Sequence, residues 1–144
     1  MWKDLARSAW PGTEFNAGAP VSALADAEHR LDDSLPAELT GLLRQSDCVR
    51  GPYGVDVVWP LQQIVDQNLH VRSDTAFAEL YMPFDALLFF GDNGGGDQFA
   101  FVRAPRRPDI IVWEHEDDSR RWAARDLREY LQRSLAADGD DWYW

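Results

Sequence analysis

Apolar positions recur three and four residues apart through the first half of the chain, the spacing of one helical face. Leu24, Ala27 and Leu31 predict a helix that Ser22 can cap. Leu39, Leu42 and Leu43 predict a second, with Pro36 at its first position, where a missing N–H costs nothing. Glu38 falls in the first turn, where a carboxylate complements the helix dipole. The polar corner Asp32-Asp33-Ser34 joins the two into an αα-hairpin. Leu61, Ile64, Val65 and Leu69 mark a helix after Pro60, and residues 74 to 80 read as a shorter one with Phe77 and Leu80. Residues 1 to 19 carry little pattern, with a turn at Trp10-Pro11-Gly12 and a loop around Asn16 to Pro20.

The period then shortens to two. Gly51-Pro52-Tyr53-Gly54 reads as a turn, and Val55, Val57 and Trp59 as the inward positions of a short strand. Leu87 to Phe90 is a continuous apolar run, as in a central strand. Phe99 and Phe101 alternate in the next strand, and Ile110 to Trp113 forms another. Pro105 and Pro108 bracket a basic loop containing Arg106 and Arg107. Glu114 to Arg121 is charged and reads as exposed. Arg125 to Leu135 closes as a helix with Leu127, Tyr130, Leu131 and Leu135 on one face. Hairpin-length loops make these strands antiparallel. The expected fold is α+β: an antiparallel sheet with helices packed mainly on one face. No repeat or linker divides the 144 residues, so one domain spanning 1–144 is expected.

Charge sharpens the functional question. The formal net charge is −11, which disfavours nucleic acid as a partner. Such acidity suits a basic protein partner, or serves solubility alone. The single cysteine, Cys48, cannot form an internal disulfide. No secretory signal is visible at Met1-Trp2-Lys3-Asp4, and no apolar run approaches the ~20 residues of a membrane span. A cytoplasmic protein with no membrane contact is expected.

Chemistry-bearing motifs are few. Asp92-Asn93-Gly94-Gly95-Gly96-Asp97 offers oxygen ligands but lacks calcium-loop spacing and its terminal bidentate Glu. As a phosphate cradle it lacks a following Gly-Lys-Ser/Thr. It reads best as a hairpin turn in which Gly94, Gly95 and Gly96 supply positive φ. In Trp113-Glu114-His115-Glu116-Asp117-Asp118 the fourth residue after His115 is Ser119, so the two-histidine zinc pattern is absent, and the carboxylates read as a solvated rim. Cys48 has no histidine nearby in sequence and reads as a small apolar residue at a helix end. No catalytic residue, metal or cofactor is expected. Trp59 and Trp113 end predicted strands, where large rings fill cores, although Trp is also common at interface hot spots. Trp142 and Trp144 follow an Asp-rich tail and are either docked or exposed.

The succession of these pieces resembles a known family. It runs from Ala27-Glu28 and Leu31 through Leu35-Pro36 and Leu42-Leu43 to Trp59 and Leu88-Phe89-Phe90-Gly91. It continues through the segment 92 to 101, Ile111-Val112-Trp113 with His115-Glu116, and a closing helix with Leu127 and Tyr130-Leu131. This resembles the SUKH superfamily in its Smi/Knr-type branch, over about residues 20 to 135. One departure is Ser46-Asp47-Cys48-Val49, where the family usually has Asn-Gly. The resemblance implies an α+β fold without enzymatic activity or cofactor. It also implies a protein-binding role, as an immunity protein that neutralises a toxin such as a nuclease, or alternatively as a regulatory scaffold module. The family has no agreed catalytic set. Candidate partner-binding positions are therefore the acidic residues Asp92, Asp97, Glu114, Glu116, Asp117 and Asp118, with Trp59 and Trp113 as aromatic anchors.

Overall fold

A computed structural model describes residues 1–73, 84–103, 105–137 and 142–143. The helix expected over residues 74 to 80, and Trp144, lie outside them. The chain forms α1 (Trp2–Ala9), β1 (Glu14–Phe15), α2 (Val21–Leu31), α3 (Ala37–Gln45), β2 (Val49–Arg50) and a single 3-10 turn (Pro52–Gly54). It continues with β3 (Asp56–Val58), α4 (Leu61–Ser73), β4 (Leu87–Asp92), β5 (Gln98–Arg103), β6 (Arg106–Glu114), β7 (Ser119–Ala124) and α5 (Leu127–Ala136). The fold is α+β, with two antiparallel sheets ordered β1-β2-β3 and β4-β5-β6-β7.

The patternless N-terminus proves helical. Trp2, Leu5, Ala6 and Ala9 lie on one face and pack on the core, an i, i+3, i+4, i+7 set. The Gln45 side-chain oxygen accepts from the Trp2 and Lys3 N–H groups at 3.0 and 3.3 Å, satisfying donors that a helix start leaves open. Ser22 does not cap α2, which begins one residue earlier behind Pro20. Pro36 stands at the N-cap of α3 rather than inside it. Asp47 caps α4 from a distance, accepting from Leu61 N–H at 2.7 Å.

The run Leu87 to Phe90 is the terminal strand of its sheet rather than a central one. Its outer edge is nevertheless covered. The Asn68 carboxamide on α4 donates to Phe89 O at 2.8 Å and accepts from Phe89 N–H at 2.9 Å. Trp59 N–H, just after β3, donates to Phe90 O at 2.7 Å. Gly91 lets β3 approach, since a Cβ there would lie 2.0 Å from Val57 O. The same carbonyl accepts from the buried Tyr130 hydroxyl of α5 at 2.6 Å. Two sheets and the last helix thus meet at one point.

On one sheet face Phe90 and Phe99 lie against Tyr130, with ring centroids 5.0 and 4.9 Å away, and α1 packs on α5. On the other, Phe84, Phe89 and Trp113 form an edge-to-face cluster. Asp126 caps α5 by accepting from Glu129 N–H at 2.8 Å. The end of the charged segment read as exposed, Ser119 to Arg121, opens the edge strand β7. Only Ala123 and Ala124 of it are buried.

Candidate functional site

A four-stranded meander sends its first and third turns out at the same end. The β4–β5 turn (93–97) and the β6–β7 turn (115–118) are therefore neighbours. Between them lies a groove of about 470 Å³ lined by Asn93, Gly95, Asp97, Glu114, His115, Glu116 and Asp117. The two acidic segments singled out from the sequence face each other across it.

Asp97 joins the walls. One of its carboxylate oxygens lies 2.8 Å from His115 Nδ1 and 3.3 Å from His115 N, whose N–H it accepts. The other accepts from the Tyr143 hydroxyl at 2.9 Å. Asn93 organises the first turn. Its oxygen accepts from Gly95 and Asp97 N–H, and its amide donates to the Tyr143 hydroxyl oxygen at 2.8 Å. Trp142 and Tyr143 are thus docked, with Tyr143 buried and Trp142 stacked on Phe99 at 5.5 Å. The positive φ expected of all three turn glycines is found at Gly94 (84°) and Gly96 (107°) but not at Gly95. Gly95 donates its N–H to the Asn93 side chain in a backbone open to other residues.

The acidic candidates divide into two groups. Asp92 accepts from Trp59 Nε1–H and Gly94 N–H, both at 2.7 Å. Asp118, at φ 59°, accepts from Trp113 Nε1–H at 2.7 Å and pairs with Arg120. Glu114 is paired with Arg121. These three carboxylates, with Asp97, hold the turns in shape. Glu116 and Asp117 are exposed at the rim. Hydrogen bonds from Ser119 hold the Asp117 carboxyl below its ordinary range, so it is charged at neutral pH. Trp59 and Trp113 are 2% and 4% exposed. Both rings fill the core, the first of the two roles read from the sequence, with each indole N–H bonded to a site carboxylate. Asn93 and His115 entered the sequence reading only as metal ligands that were set aside, and Tyr143 had no expected role. Their part in the site comes from contacts between turns distant in sequence.

Among the described residues the groove's lining contains no Ser, Thr or Cys side chain. Among the described residues no group of His, Cys, Asp and Glu is placed to hold a metal ion. Cys48 is buried elsewhere, and burial together with the nearby Asp56 pushes its thiol up to about 12. The site can present negative charge in a fixed geometry to a complementary surface.

Residues 18–133 match the family described as SMI1 / KNR4 family (SUKH-1). The chain belongs to the SUKH-1 family. Comparison with curated proteins gives no match. The SUKH-1 match takes in both acidic turns and ends within α5, before the Trp142-Tyr143 tail. The contacts of Tyr143 with Asn93 and Asp97 therefore join a residue beyond the matched span to the centre of the site. No described helix of this SUKH-1 chain is long and apolar enough to cross a membrane.

Proposed function

We propose that this SUKH-1 chain is a non-enzymatic, cytoplasmic immunity protein that binds a basic toxin in a stoichiometric complex. The acidic groove is its contact surface. The observation that carries this reading is the convergence of two hairpin turns on one open groove, with Glu116 and Asp117 exposed and the remaining carboxylates held rigid. A nuclease toxin presents a basic groove because its substrate is polyanionic. A surface of net charge −11 complements such a groove and steers encounter with it. The fixed turns lower the ordering cost of binding.

The test is binding kinetics against the toxin domain encoded beside the gene for this chain, at low and high salt. The expected result is an association rate that falls as salt rises, and falls about tenfold or more when Glu116 and Asp117 are both changed to Lys. Asp118 is left unchanged because it holds Trp113. An association rate indifferent to salt and to charge reversal would exclude the acidic mechanism. Absence of such a toxin, or of any binding to it, would return the protein to the alternative role of a regulatory interaction module.

A further inference from the structure

Tyr53 is 85% exposed, well above the 55% of Trp122. It is also held in a backbone conformation that suits it poorly, at φ 63° and ψ 20°. Proline at the second place of a turn and positive φ at the third is the type II arrangement, whose third residue is ordinarily Gly or Asn. A bulky residue with positive φ is an outlier that persists because something other than local preference retains it. The fold makes little use of the ring.

The location connects Tyr53 to the groove. Its flanking residues Pro52 and Val55 share a small cavity with Asp92, Asn93 and Tyr143. Val55 also packs against Gly94, where an added Cβ would lie 2.9 Å from Val55 Cγ2. The Tyr53 turn therefore abuts the hairpin that walls the groove. It is braced as well: Gly51 N–H donates to Val55 O at 2.8 Å, and Pro52 restricts the backbone. A rigid, outward tyrosine offers a large amphipathic contact at low entropic cost, as binding hot spots do.

We infer that Tyr53 is the aromatic anchor of the partner interface and enters an apolar pocket beside the partner's basic groove. The inference rests on the immunity reading above, and takes its partner to be the same basic toxin. Carboxylates at the rim govern encounter, and Tyr53 governs residence.

The experiment compares wild type, Tyr53→Asn and Tyr53→Phe for thermal stability and for binding to the adjacent toxin domain. Asn accepts positive φ, so Tyr53→Asn is expected to keep or slightly raise the melting temperature. It should weaken the complex roughly 30-fold or more, chiefly through faster dissociation. Tyr53→Phe should bind within about threefold of wild type, since the ring is retained. Wild-type affinity in Tyr53→Asn would overturn the anchor and leave the groove mechanism standing. A lower melting temperature in Tyr53→Asn would show that the ring serves the fold, and would also overturn it. Failure of the wild-type chain to bind the toxin overturns the immunity reading and the anchor together.

Discussion

A side chain at Gly96 would meet the His115 ring at 2.8 Å in a backbone at φ 107°, whereas a Cβ at Gly95 meets only the Asn93 side chain at 3.5 Å. Gly96→Val should therefore lower the melting temperature by several degrees, taking about 1–3 kcal/mol for the strained backbone. Gly95→Val should lower it far less, and thermal denaturation of the two variants checks this. The buried Tyr130 hydroxyl donates to Val57 O at 2.6 Å. Its loss in Tyr130→Phe leaves the buried Val57 carbonyl without this partner and should cost about 1–3 kcal/mol in denaturant unfolding. Cys48 is predicted to be inert. Its thiol is buried and pushed up to about 12, first by burial and then by Asp56, so little thiolate exists at pH 8 to react. A thiol reagent should label it only after unfolding.

At the scale of elements, the best placed pieces were those with a dominant apolar face. α2, α3, α4 and α5 follow from Leu24 to Leu31, Leu39 to Leu43, Leu61 to Leu69 and Leu127 to Leu135. α1 carried the same signal in Trp2, Leu5, Ala6 and Ala9, diluted by its short length. β1 and β2 have two residues each, too few to express a period. β7 escaped because its first residues, Ser119, Arg120 and Arg121, are those of an edge strand with a polar rim. The candidate site was legible as two acidic segments, but their convergence depends on the meander, whose fourth strand, Ser119–Ala124, was not assigned from the sequence. Asp33 shows a contact between elements with a testable consequence. It stands at the corner between α2 and α3 and pairs with Arg103 and Arg106 of the β5–β6 hairpin at 3.0 and 3.1 Å. Burial alone would raise its carboxyl. The Arg103 and Ser34 hydrogen bonds and the two arginine charges outweigh it and hold the group below its ordinary value. A depressed carboxyl stabilises the fold above its ordinary value and loses that effect as pH falls through the folded one. The stability gap between wild type and Asp33→Asn should be widest above about pH 4 and close on acidification below it. Melting temperatures across that window check the sign.

For the whole molecule, the net charge of −11 works against compactness through self-repulsion. Raising salt from about 0.05 to about 0.5 M at neutral pH should raise the melting temperature by a few degrees as the repulsion is screened. The same salt should slow association with a basic partner. Opposite responses of stability and association in one titration would separate the two uses of charge. The bond between Asp97 and His115 has a further consequence, for how such a protein can change over generations. Because this bond fixes the two turns against each other, Gly95, Glu116 and Asp117 can be exchanged without disturbing the buried residues beneath. On the proposed role, recognition would be retuned by single substitutions at the rim, with the fold beneath left in place.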